Sequence, residues 1–137
     1  MRIVLDTNLL VSGILNPDGS PGRIVDMLRS GVVQLVVDDR ILAEYRDVLR
    51  RDYLSKYFTE FDRDSILEFL SSNSIYTTSS VVVLDLPDKG DVPFLETALT
   101  EKVPLVTGNS KHFPPRCRRG ASILTPQEFA RKLSEYR

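Results

Sequence analysis

Asp6, Glu44 and Asp91 are the residues of this 137-residue chain whose type and placement could do chemistry together. The first ends an apolar run, Arg2 to Leu5, that stops abruptly at Asp6, Thr7 and Asn8. The second lies in DDRILAEYRDVL, where its spacing from Ile41, Tyr45 and Val48 sets it on or beside an apolar helical stripe. The third opens DVPFLETAL, three residues before Phe94 and four before Leu95, so it looks along the core-facing side of a helix. A carboxylate in such a place is costly unless a cation or hydrogen bonds meet it. Like charges about 4 Å apart repel by roughly 4 kcal/mol per pair at an effective dielectric of ~20, so three acids converging on one crevice need a cation. Every candidate donor is oxygen, which selects a hard ion, Mg²⁺ or its close substitute Mn²⁺. Such an ion activates water and stabilises a leaving oxygen in phosphodiester hydrolysis. Thr7 and Asn8 would orient the ligand carboxylates or water through hydrogen bonds.

Each residue taken alone has a plainer reading. Asp6 suits the N-cap of a short helix begun by Leu9, and Asp91 suits an N-cap before Val92 and Pro93. Glu44 could pair with Arg40 or Arg46 on a solvated face. Asn109 follows Gly108 in VTGNS, where an Asx turn is the ordinary role. The conjunction is what calls for a metal, and it holds only if the fold brings the acids together.

The elements that must do so are legible as a pattern. Apolar β-branched runs recur at Ile3 to Leu5, Val32 to Val37, Val81 to Leu84, Pro104 to Val106 and Ser122 to Leu124, and they read as buried strands. Between them, Ser20-Pro21 caps a helix through Arg29 ended by Gly31, and Asp38 or Asp39 starts the helix that carries Glu44. Further helical patterns span about Glu60 to Leu70 and Asp91 to Glu101, and Thr125-Pro126 caps a last one with Phe129 and Leu133 on its apolar face. Strands apolar on both faces and alternating with helices predict an α/β fold, a three-layer α/β/α sandwich with a parallel central sheet. In such sheets chemistry collects at the carboxyl ends of the strands, where Asp6 and Asn109 fall and Glu44 lies close behind. HFPPRCRRG is the one irregular stretch and reads as a surface loop.

Composition bounds the function. A chain this long with 42% hydrophobic residues supports one compact core, so residues 1–137 are expected to form a single domain. Eighteen Lys and Arg against 19 Asp and Glu give a formal charge of −1, so a polyanion must be met by a local basic patch or by metal ions. One cysteine and one histidine exclude a Cys/His zinc cage and an internal disulfide. Asp6 interrupts the apolar start that a signal peptide would need, and no run approaches the ~20 apolar residues of a membrane span. A cytoplasmic location without membrane contact is the expectation.

LDTNLLVSG, ILAEYRDVL, PDKGDVPFLETAL and PLVTGNSKHFP, in this order along nearly the whole chain, resemble the PIN-domain nucleases, specifically the VapC-like toxins of type II toxin-antitoxin systems. The resemblance implies a PIN-type sandwich, Mg²⁺- or Mn²⁺-dependent ribonuclease activity on an RNA substrate, a homodimer, and a cognate antitoxin that inserts into the active-site groove. Carried across by position, Asp6, Glu44 and Asp91 match the acids that this family uses for metal binding and catalysis. Thr107 matches its hydroxyl residue beside the site. Where a fourth acid often follows the TG of the fourth strand, this chain has Asn109, which can bind metal or water but brings no charge and weakens the case for a second ion. Asp88 is near enough to Asp91 to help as an outer carboxylate, although LPDKGD reads first as a turn.

Substrate phosphates need cations. Arg46, Arg50 and Arg51 form one cluster, and Lys111, His112, Arg116, Arg118 and Arg119 form another beside Asn109, the better placed of the two. Cys117, within that loop, reads as a passive thiol. Asn8, Thr107, Asn109 and Lys111 are thus the expected supporting residues around the three acids. Two other readings compete. A phosphate-accepting aspartate module would want a second acid two residues after Asp6, where Asn8 stands. A non-catalytic PIN-like module that holds RNA or protein would explain Asn109, but it gives no reason to keep three mutually repelling acids.

Overall fold

The computed structural model describes residues 1–136. The chain runs β1 (Arg2–Leu5), α1 (Thr7–Leu15), α2 (Ser20–Arg29), β2 (Gln34–Val37), α3 (Asp39–Leu49), α4 (Glu60–Asn73), β3 (Ile75–Tyr76), α5 (Val92–Glu101), β4 (Leu105–Val106), β5 (Ile123–Leu124) and α6 (Pro126–Tyr136). The five strands form a sheet in the order β3-β2-β1-β4-β5. All four pairings are parallel. Ile3, Val4 and Leu5 are buried in succession, as are Leu35, Val36 and Val37, although neighbouring side chains of a strand point to opposite faces. Helices therefore cover both faces, giving the expected three-layer α/β/α arrangement.

Strand order reverses at β1, which pairs with β2 on one side and β4 on the other. The region beyond the carboxyl ends of β1 and β4 at such a reversal is the usual place for a ligand in an open α/β sheet. Leu5 pairs with Val106, so the next residue of each strand, Asp6 and Thr107, leaves the sheet beside the other.

Local boundaries follow the chemistry of the termini. Asp38 caps α3, its side chain accepting the Ile41 N–H at 2.9 Å. Thr59 and Asp62 form a reciprocal capping box at α4. Helix α4 continues to Asn73, one turn past the expected end at Leu70. Gly19, not Ser20, is the capping position of α2, and Gly31 takes φ 81° just beyond its end.

One expected strand is absent. Val81 to Leu84 is an extended strap and not a strand, and the sheet is completed instead by β3, Ile75–Tyr76. β2 is already paired by β3, and the strap's backbone groups are met by side chains instead. The Val83 N–H donates to Glu96 Oε2 at 2.8 Å, Arg119 donates to the Val82 carbonyl at 2.8 Å, and Cys117 Sγ donates to the Asp85 carbonyl at 3.2 Å. Val83 and Leu86 turn into the core while Val82 and Leu84 remain 66% and 87% exposed. Strand propensity in VVVL is overridden by this tertiary competition.

Candidate active site

Asp6 follows β1 and is buried, 8% exposed. It occupies the N-cap position of α1 but makes no side-chain capping bond. Its Oδ2 instead accepts from Thr107 Oγ1 at 2.7 Å, across the seam between β1 and β4. Thr107 is fully buried, and the same Oγ1 accepts the Asn109 backbone N–H at 3.1 Å. A threonine here holds a carboxylate and shapes the turn after β4 with one hydroxyl.

Glu44 is half-buried on α3. Its Oε2 accepts from Thr7 Oγ1, the residue after Asp6. Neither Arg40 nor Arg46 pairs with it among the described residues. Arg40 is engaged elsewhere, with Asp38 at 2.7 Å and Glu96 at 2.8 Å.

Asp91 closes a single helical turn, Lys89–Asp91, and precedes α5, again without a side-chain capping bond. The residue is 8% exposed, and its Oδ2 is buried with no hydrogen-bond partner. His112 Nδ1 stands 3.1 Å from that oxygen, close enough for ion pairing but without hydrogen-bond geometry. Burial pushes the Asp91 carboxyl up to about 6, the neighbouring charges of Asp6, Asp88 and Glu44 push the same way, and His112 opposes them. Each of the other two acids thus contributes to the field at Asp91.

Tyr45, adjacent to Glu44, is fully buried and donates from its hydroxyl to the Leu5 carbonyl at 2.5 Å. Burial drives its phenol well above the usual value, and the charges of Asp6 and Glu44 add to the effect. Sequence reasoning took Tyr45 only as a member of the apolar stripe. A tyrosine beside an acid on such a stripe was the available signal, since a buried hydroxyl needs a partner.

The supporting residues divide. Asn8 is exposed one position beyond Thr7, and Lys111 is exposed in the turn Ser110–His112. Asn109 is exposed, and its side-chain amide lies 2.9 Å from His112 Nε2, in place of the Asx turn that an Asn after Gly suggests. Asp88 accepts the Gly90 N–H at 2.8 Å, the turn role its sequence implies. Arg118 and Arg119 are spent on the carbonyls of Phe113 and Val82, whereas Arg116 is exposed. Cys117 is fully buried.

The donor set suits a divalent hard cation: carboxylate oxygens with charge to neutralise, and one buried oxygen, Asp91 Oδ2, lacking any hydrogen bond. Among the described residues no group of three or more Asp, Glu, His or Cys side chains is closed around a common point as metal ligands would be. Two of the acids are held by threonine hydroxyls, Asp6 by Thr107 and Glu44 by Thr7.

Comparison with known proteins bears on the family and the fold. A family model described as "PIN domain" matches residues 2–111. An uncharacterised protein of Methanocaldococcus jannaschii, MJ1680, is 28% identical over 145 aligned positions, covering 99% of this chain and 94% of that protein. Among solved structures, VapBC2 from Rickettsia felis bound to a promoter DNA fragment matches with TM-score 0.60 and 18% identity, over 91% of this chain and 98% of the matched one. FitAcB from Neisseria gonorrhoeae matches with TM-score 0.58 and 17% identity, over 93% and 99%. At such identities these structures speak to the fold. Among the described residues no helix is long and apolar enough to cross a membrane.

Proposed function

This chain belongs to the PIN domain family, and from that premise we propose that it is an endoribonuclease dependent on Mg²⁺ or Mn²⁺, acting in the cytoplasm as the toxin of a toxin-antitoxin pair. The observation that carries the reading is Asp91 Oδ2, buried and without a hydrogen bond in the field of Asp6 and Glu44 at the sheet's switch point. Asp6, Glu44 and Asp91 are assigned as metal ligands and catalytic residues. When bound, the ion lowers the pKa of a water and offsets the charge of the scissile phosphate. Thr107 and Thr7 hold Asp6 and Glu44 by hydroxyl donation and orient both carboxylates. Lys111 and Arg116, exposed on the loop after β4, meet RNA phosphates, while the exposed Asn8, two residues after Asp6, and Asn109, two residues after Thr107, serve as polar contacts.

Partners belong to the same reading. VapBC2 and FitAcB share this fold, and that likeness supports a partner protein. An apolar groove of about 190 Å³, lined by Leu10, Ile14, Val25, Leu28 and Phe69, supports an antitoxin partner, and Phe61 beyond it is 79% exposed. The exposed Val82 and Leu84 support a homodimer.

The test is cleavage of a mixed RNA pool with Mg²⁺, Mn²⁺ or EDTA, beside Asp6→Asn and Asp91→Asn. Cleavage that requires the metal and vanishes in both variants is the expected result. Full-rate cleavage by either variant would remove that acid from the site, and metal binding without cleavage of any RNA would favour the non-catalytic module that Asn109 suggests.

A further inference from the structure

Tyr45 touches each of the three segments that carry the acids. It follows Glu44 directly in α3. Its hydroxyl donates to the carbonyl of Leu5, the residue before Asp6, at 2.5 Å. Its ring packs against that of Phe94, three residues after Asp91, with centroids 6.5 Å apart and planes tilted by 47°. We infer that Tyr45 is a positioning residue that fixes the spacing of Asp6, Glu44 and Asp91, an inference that rests on the metal-dependent reading of the site.

Packing alone does not require this residue. Phenylalanine would fill nearly the same volume at this fully buried position without bringing a hydroxyl that must be satisfied. The hydroxyl adds direction. Glu44 already ties α3 to α1 through Thr7, and Arg40 ties it to α5 through Glu96, but neither bond reaches β1, and one residue of helical rotation would swing a side chain by about 100°. The bond from Tyr45 to the Leu5 carbonyl ties α3 to the end of β1 at the point where both elements present acids. The Phe94 contact extends the tie to the first turn of α5. Tyr45 contacts no substrate in this arrangement; it acts through the carboxylates beside it.

The test compares wild type with Tyr45→Phe and with Phe94→Leu, using Mn²⁺ alone as probe. Mn²⁺ affinity of the RNA-free protein is read by electron paramagnetic resonance, alongside thermal melting and cleavage kinetics. Tyr45→Phe is expected to keep its fold and lose about tenfold in Mn²⁺ affinity, the low end of what losing a group bonded directly to a metal ligand costs, because its bond reaches Asp6 only through the backbone, with kcat falling and KM for RNA unchanged. A tyrosine that merely stabilised the core would lower the melting temperature and leave the Mn²⁺ affinity of the folded protein at the wild-type value, which overturns the inference. Should Tyr45→Phe fail to fold, Phe94→Leu keeps the hydroxyl and removes the ring contact. Weaker Mn²⁺ binding there supports positioning, and wild-type binding overturns it. Absence of Mn²⁺ binding by the wild type overturns the metal reading itself and this inference with it, an outcome visible before any variant is made.

Discussion

Thr107 Oγ1 donates to Asp6 Oδ2 at 2.7 Å, joining the residues that follow β4 and β1 at the point where the strand order reverses. Thr107 is fully buried, so its hydroxyl has no water to fall back on. Thr107→Val keeps the shape and removes both the donor to Asp6 and the acceptor for the Asn109 N–H. A loss of about 1–3 kcal/mol in urea unfolding is expected, because the buried Asp6 carboxylate loses its donor. Thr107→Ser retains the hydroxyl and recovers most of that loss. Equal stability of Thr107→Val and wild type would show that the bond contributes nothing.

Asp91 makes the stability of the fold depend on pH. Its carboxyl titrates near 6 in the fold and near its ordinary 3.8 when unfolded, so between these values the folded state binds more protons. Stability of the protein in EDTA therefore falls as pH rises from about 4 to about 6 and is flat, as far as this group is concerned, above 7. Asp91→Asn removes the ionisation and should abolish that slope. At pH 7.5 the variant is expected to be more stable than wild type by on the order of 1–2 kcal/mol while cleaving no RNA. Thermal melting across pH reads the first outcome, and an unchanged slope in the variant would assign the titration to another group.

Arg40 holds two buried acids at once, Asp38 on the α3 cap and Glu96 in α5, and Glu96 in turn accepts from the strap at Val83. Arg40 itself is half exposed, which screens the pairs. Arg40→Ala should still cost about 2–3 kcal/mol, since it strands two carboxylates in a poorly solvated place. Adding Asp38→Asn and Glu96→Gln to that variant should restore part of the loss. Chemical denaturation of the single and triple variants measures both steps.

The sheet and most helices were legible because buried parallel strands and capped amphipathic helices leave local signals: RIVL, QLVV, the Asp38 cap and the Thr125-Pro126 start. The order β3-β2-β1-β4-β5 left no such mark, and the apolar VVVL run misled because side chains distant in sequence, Glu96 and Arg119, satisfy its backbone. At the site, the three acids stood out by type and spacing. Their hydroxyl partners were only half visible: Thr107 and Thr7 were expected to support the site, but which acid each serves depends on strand register. The approach of His112 to Asp91 joins residues 21 positions apart through a turn whose geometry no local pattern encodes.

The loop after β4 separates cations by job. Arg118 donates to the Phe113 carbonyl at 2.7 Å and Arg119 to the Val82 carbonyl at 2.8 Å, so both hold the backbone. Lys111 and Arg116 are exposed, with no ion pair or side-chain hydrogen bond among the described residues. Arg118→Ala is accordingly expected to lower stability by about 1 kcal/mol, the usual worth of one intramolecular hydrogen bond. Lys111→Ala and Arg116→Ala should leave melting unchanged, raise KM for RNA, and each reduce the slope of log affinity against log salt by about 0.7–0.9, one phosphate contact apiece. Affinity measured at several salt concentrations decides the matter, because a cation that never meets RNA leaves that slope where it was.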